Sequence, residues 1–100
     1  SPHGADYAAS KAALSTWARW LALAVGPEGK RVNVLAPGYV DTDILAGDSD
    51  SKRAQRIDEV PLKRIGTGDD MASIVSFLLG DDAAYITGAV LHANGGLYLP

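Results

Sequence analysis

Residues 5–38 read ADYAASKAALSTWARWLALAVGPEGKRVNVLAPG, and this stretch decides the fold. From Ala5 to Val25 it is rich in alanine and leucine and has no internal glycine or proline, which favours a stable helix. Gly26-Pro27 ends that helix in the usual way. Pro27-Glu28-Gly29-Lys30 reads as a turn. Arg31-Val32-Asn33-Val34-Leu35-Ala36 reads as a strand, and Pro37-Gly38 stops it. A helix, a short turn and a strand make half of a βαβ unit, which predicts an α/β fold with a parallel sheet. The helix has no single apolar stripe. Lys11, Leu14, Ala18, Leu21, Ala22 and Val25 follow one face. Ala13, Trp17, Trp20 and Ala24 follow the roughly opposite one, and Arg19 is the only charge after Lys11. A helix apolar nearly all round is covered on both sides. The sequence therefore predicts a second partner for it, either a neighbouring subunit or a part of the same domain that lies outside these residues.

Downstream, Tyr39 to Val60 is polar and irregular, with a short helix predicted over Ser49 to Ile57. Pro61 to Gly66 reads as an extended connection. Thr67 is placed to cap a second clear helix, and Asp70, three residues on, completes a capping-box pattern. Met71, Ile74, Val75, Leu78 and Leu79 make that helix's apolar face, and Gly80 ends it. After a connection over 81–88, Ala89-Val90-Leu91-His92-Ala93 reads as a second strand, closed by Asn94-Gly95-Gly96. Repeats, low-complexity tracts and domain linkers are all absent from the sequence.

The 100 residues are 47% hydrophobic and 21% charged, the balance of a globular domain rather than a disordered or collagen-like chain. Without cysteine, disulfides, thiolate zinc sites and thiol nucleophiles are excluded. The net charge of −3 and the absence of a basic block speak against nucleic acid as a partner. The longest apolar stretch, Trp20 to Val25, is far short of the ~20 residues of a membrane span. Ser1-Pro2-His3-Gly4 has neither the positive flank nor the apolar region of a signal peptide, and there is no initiator methionine. The expectation is that the chain starts inside a larger domain and belongs in the cytoplasm.

Tyr7-Ala8-Ala9-Ser10-Lys11 is the sharpest chemical signal. Tyrosine and lysine at i and i+4 share one helix face. Moving a tyrosine from a pKa near ~10 to about 7 requires roughly 4 kcal/mol of phenolate stabilisation. An ammonium about 5 Å away, at an effective dielectric near ~20, supplies on the order of 3 kcal/mol. A second positive charge would complete the shift. Taken alone the pair is common by chance, as a surface i,i+4 contact.

Two further blocks give it context: Val32-Asn33-Val34-Leu35-Ala36-Pro37-Gly38-Tyr39-Val40-Asp41-Thr42, and Tyr85-Ile86-Thr87-Gly88-Ala89-Val90-Leu91-His92-Ala93-Asn94-Gly95-Gly96. In this order and spacing, over essentially the whole chain, the three blocks resemble the C-terminal part of the short-chain dehydrogenase/reductase family. The closing block is most similar to that of the 3-oxoacyl-[acyl-carrier-protein] reductases. The resemblance implies the C-terminal portion of a Rossmann-like doubly wound parallel sheet, with two strands, two main helices and a lid over residues 44–60. Residues 1–100 would form one segment of a single NAD(P)-binding domain. It also implies an NAD(P)-dependent oxidoreductase that moves hydride between nicotinamide and a carbonyl or alcohol carbon. Tyr7 would exchange the proton. Lys11 would favour the Tyr7 phenolate and bond the nucleotide ribose. Pro37 and Gly38 would lie under the nicotinamide ring, where a side chain would obstruct it. The Val40 amide would hold the carboxamide, and Thr42 the carboxamide or the pyrophosphate. The cofactor would be NAD or NADP, with NADP favoured by the acyl-carrier-protein reductase likeness. The implied partners are a small carbonyl or alcohol substrate, or an acyl-carrier-protein thioester, and a second copy of the chain. The copies would form a homodimer or homotetramer through helix 7–25. No membrane partner is implied.

By the resemblance, the glycine-rich pyrophosphate turn, the residue that selects NAD or NADP, and the catalytic serine, which is expected about 13 residues before Tyr7, would lie upstream of the six residues that precede Tyr7. Ser1 and Ser10 are at the wrong spacing for that serine. The competing reading is a non-catalytic fragment that acts as an assembly or interaction module. Other residues read as structural. His3 and His92 lack a metal-like pattern. Asp41, Asp43, Asp48 and Asp50 lack the glycine and glutamate of a calcium loop. Trp17 and Trp20 pack. Lys52, Arg53 and Arg56 form one wet helix face that a charged acyl carrier could use.

Overall fold

The computed structural model describes residues 5–100, with the side chains of Tyr7 and Ile44 left aside. The element order is α1 (Ala5–Val25), β1 (Val34–Pro37), α2 (Asp43–Ala46), α3 (Asp50–Glu59), α4 (Gly68–Leu79) and β2 (Val90–Ala93), with 3-10 turns at Gly26–Glu28 and Asp81–Ala83. β1 and β2 are neighbours in a two-stranded parallel sheet, the α/β arrangement that the sequence predicts. The chain forms two compact units, Ser1–Val34 with Ala84–Leu91, and Leu35–Ala83 with His92–Pro100.

In the first unit α1 runs 21 residues. Gly29 stops the following turn in a left-handed conformation, φ 77°, and donates its N–H to Gly26 O. Glycine adopts that conformation without the Cβ penalty. Ala18 and Ala22 are the buried residues of α1, with Lys11, Ser15, Leu21 and Val25 half-buried beside them. The covered stripe thus centres between two alanines, which turns Leu14 out to 47% exposure and brings Ser15 in. At about 100° per residue, Trp20 lies opposite that stripe. Trp17, Trp20 and Leu23 are exposed. The predicted second cover for this helix is not found among the described residues.

The strand predicted from Arg31 begins only at Val34. Side chains explain the difference. Asn33 donates Nδ2–H to Ile86 O (3.1 Å) and accepts at Oδ1 from Ala89 N–H (3.1 Å), while Val32 N–H bonds Thr87 Oγ1 (3.0 Å). Gly88 N–H then bonds Val32 O (2.7 Å). Residues 31–33 are stitched to the 86–89 turn before the ladder starts with Val34 N–H to Ala89 O.

In the second unit the buried side chains are Ala36, Leu45, Val60, Ile65, Leu78 and Ala83. Helix α4 has its capping box: Thr67 Oγ1 accepts from Asp70 N–H, and Asp70 Oδ2 accepts from Thr67 N–H. Its covered stripe is narrower than the predicted face. Met71, Ile74 and Leu78 turn inward, whereas Val75 and Leu79 are exposed. Helix α3 runs to Glu59, two residues beyond the predicted end, with Ser49 as its cap. The extended connection predicted over Pro61–Gly66 is instead a turn. Lys63 has φ 58° and donates its N–H to Val60 O, and only Gly66 pairs strand-fashion, with Val40. The turn lies in close approach to the chain's end. Gly95 (φ 61°) and Gly96 (φ 94°) lie so near Val60 and Pro61 that a Cβ would come within 2.7 and 2.9 Å of them. Leu62 N–H caps the contact on Gly95 O.

Candidate active site

Tyr7 and Lys11 stand one helical turn apart on α1, as the spacing requires. The Tyr7 side chain lies outside the described residues, as does His3. Lys11 is half-buried and has interactions of its own. Both belong to the first unit, and Pro37, Gly38, Val40 and Thr42 belong to the second.

Within the second unit, the end of β1 sets the geometry of those four residues. Gly38 N–H bonds Ala93 O at 3.2 Å. A Cβ on Gly38 would sit 2.7 Å from Asn94 Cβ and 3.0 Å from Asn94 Cα. The sequence reading put the need for glycine in the room required by a nicotinamide ring. Asn94 at the end of β2 supplies a sufficient reason from inside the chain. Asn94 is itself fixed, accepting from Gly96 N–H and donating to Tyr98 O.

Val40 pairs with Gly66 in a parallel bridge. Gly66 N–H bonds Tyr39 O (2.9 Å), and Asp41 N–H bonds Gly66 O (2.8 Å). In such a bridge the flanking residues make both bonds, so the N–H and C=O of Val40 face the other way. Thr42 is the N-cap residue of α2, yet its hydroxyl makes no capping bond. An outward backbone N–H and an unengaged hydroxyl, two residues apart, are donors suited to an amide-bearing ligand. The donor chemistry fits the nicotinamide carboxamide that the sequence resemblance implies.

Of the wet basic face expected on α3, Lys52 is exposed, whereas Arg53 and Arg56 are half-buried and paired. Arg53 forks onto Asp41, NH2 to Oδ2 at 3.1 Å and NH1 to Oδ1 at 3.4 Å. Arg56 bonds Asp48 through Nε and lies 5.0 Å over the Tyr39 ring. Tyr39 donates its hydroxyl to Glu59 Oε2 at 2.7 Å. That bond, with burial and the Glu59 charge, raises the Tyr39 pKa against the opposing pull of Arg56. Arg56 is in turn held protonated by its bond to Asp48. Two of the four loop aspartates therefore serve arginines, and no group of metal-binding side chains occurs among the described residues. The sequence did carry a signal for this set: Arg53, Arg56 and Glu59 recur every third residue.

An open groove of about 660 Å³, lined among others by Tyr39, Leu62, Met71, Ile74, His92 and Tyr98, also lies in this unit. His92 meets the Tyr98 ring edge-on at 5.5 Å, a packing role rather than a ligand's. Beside the groove Arg64 forks onto Asp70, 2.7 and 3.1 Å, which holds the Asp70 carboxyl well below the ordinary carboxylate range. Four separate segments build the groove, so no local pattern announced it.

Residues 1–98 match the model of the family described as enoyl-(acyl carrier protein) reductase. The chain belongs to that family, within the short-chain dehydrogenases/reductases. It is 46% identical over 95 residues to the 3-oxoacyl-[acyl-carrier-protein] reductase of Escherichia coli, covering 95% of this chain and 39% of the relative. It is 45% identical over 96 residues to protein FixR of Bradyrhizobium diazoefficiens, covering 96% and 34%. The crystal structure of a 3-oxoacyl-[acyl-carrier protein] reductase from Brucella melitensis superimposes with a TM-score of 0.88 at 32% identity, over 94% of this chain and 35% of that one. The chain thus spans about two fifths of the length of the curated relatives it matches. No described helix is long and apolar enough to cross a membrane.

Proposed function

We propose that residues 1–100 are the C-terminal catalytic segment of the NAD(P)-binding domain of an oxidoreductase acting on a carbonyl or alcohol carbon, with a 3-oxoacyl-[acyl-carrier-protein] thioester as substrate class. The observation that carries this reading is the 46% identity to a reductase of that name across the segment holding Tyr7, Lys11 and the Pro37–Thr42 block. A bound nicotinamide nucleotide would supply the hydride. Tyr7 gives the substrate oxygen its proton in reduction and takes it back in oxidation. Lys11 favours the Tyr7 phenolate and bonds the ribose. The outward amide of Val40 and the hydroxyl of Thr42 hold the carboxamide, and Pro37 and Gly38 end the strand so that backbone lies beside the ring. Residues 44–60 close over the substrate. Of the two nucleotides, the reductase likeness favours NADP over NAD. Helix 7–25 pairs with its counterpart in a second copy, giving a homodimer or homotetramer in the cytoplasm.

The test is direct. The full-length protein carrying this segment is mixed with a reduced nicotinamide nucleotide and a 3-oxoacyl thioester, and nucleotide absorbance is followed. Thioester-dependent loss of reduced nucleotide is expected. Absence of any loss with a panel of 3-oxoacyl thioesters, ketones and aldehydes, with either nucleotide, refutes the reading.

A further inference from the structure

The strand end alone does not hold the two carboxamide donors. Tyr39 and Asp41 flank Val40, and each is tied twice. Their backbones bond Gly66, through Tyr39 O and Asp41 N–H. Their side chains bond α3, where Glu59 receives the Tyr39 hydroxyl and Arg53 forks onto Asp41. Arg56 sits between, on Asp48 and over the Tyr39 ring. Residues three apart share a helix face, so Arg53, Arg56 and Glu59 present one row to this loop. Helix α3 has no buried residue. Its half-buried residues are Arg53, Arg56 and Ile57, so two of the three side chains it turns inward are charged.

We propose that Arg53 is a positioning residue: through its fork on Asp41 it sets the Val40 amide and couples the lid helix to the segment that holds the nicotinamide, so that ordering either one orders the other. This rests on the nicotinamide reading above. Arg53 touches neither substrate nor cofactor and acts only through Asp41. The guanidinium is suited to the task because its planar fork fixes a carboxylate in orientation as well as distance, which an ammonium does not. Coupling of this kind is reciprocal, so nucleotide must steady α3 to the same degree that α3 steadies nucleotide binding.

Two measurements on the full-length protein test it: nucleotide affinity by calorimetry, and amide hydrogen exchange over residues 50–59 with and without NADP or NAD. Arg53→Ala is expected to speed exchange in α3 before any nucleotide is added. It should also weaken nucleotide binding about two- to five-fold, the range of a partly exposed ion pair, and abolish nucleotide-dependent protection of α3. Asp41→Asn should do the same, and the double variant should be no worse than either single one, since the two residues act as one device. Arg53→Lys should fall between, keeping charge without the fork. Lys30→Ala removes an exposed ion pair with Glu28 that touches no residue of α3, Tyr39 or Asp41, and it should change neither reading. Unchanged α3 exchange in free Arg53→Ala overturns the fastening, and unchanged affinity and protection overturn the coupling. Strictly additive effects in the double variant also overturn it. A wild-type protein that binds no nicotinamide nucleotide overturns the functional reading itself, and the coupling with it.

Discussion

Helices α1 and α3 are held in opposite ways. α1 is long and nearly uncharged, and it seats two buried alanines, Ala18 and Ala22. α3 is short and highly charged, has no buried residue, and is attached through Arg53, Arg56 and Glu59. Packing of small side chains fixes a helix in one place, because interiors are dense and any shift opens a void. The Arg53–Asp41 pair is partly exposed, and such pairs contribute little each and can be re-made. The first arrangement suits a platform for groups whose spacing must not change, such as Tyr7 and Lys11. The second suits a lid, since segments with few apolar contacts open most easily.

The comparison breaks most visibly at the platform. Tyr7→Phe should lower turnover by about 10²–10⁴-fold, the usual contribution of a positioned proton donor, with nucleotide affinity within a few-fold. Near-normal turnover would remove the acid/base role. Next, Trp17→Glu with Trp20→Glu should give smaller assemblies in light scattering, or insoluble protein, because two exposed indoles on one face make an apolar patch that lone chains avoid. A soluble assembly of unchanged mass would show that this side of α1 contacts no second copy.

Smaller effects are expected where backbone approaches backbone and at the caps. Gly38→Ala puts a methyl against Asn94 and should cost about 1–3 kcal/mol, as overpacking does; a denaturant midpoint equal to wild type would mean that β1 and β2 part there freely. Thr67→Ala, which removes the capping bond to Asp70 N–H, should cost about 1 kcal/mol in thermal or chemical unfolding. The smallest is a pH effect. Asp70 is held ionised by Arg64, so its folded pKa is below its unfolded one. Its contribution is therefore present above the ordinary carboxylate pKa and fades as the pH falls through the depressed value. Asp70→Asn should flatten that part of the acid unfolding profile. An unaltered profile would show that the Arg64 fork does not matter to folding.

What was legible follows from how far apart the partners lie. The Thr67–Asp70 capping box and the Tyr7–Lys11 turn each involve residues three or four apart, and each stands where the spacing puts it. The groove-side segment Pro61–Gly66 reads as extended in the sequence because the glycines it packs against, Gly95 and Gly96, lie some thirty residues on. Arg53 and Arg56 looked like a wet face because their acceptors, Asp41 and Asp48, read as loop.

The sequence by itself determined the order of the three longer helices and the two strands, the Thr67 cap and the helical face shared by Tyr7 and Lys11, because helix periodicity and capping are local. Only the tertiary structure decided which stripe of α1 is covered, why Gly38 can carry no side chain, and that Tyr39 and Asp41 hold Val40 between Gly66 and α3. Each of those depends on a surface or an atom brought near by the path of the chain, and a residue's own neighbours in sequence do not encode that proximity.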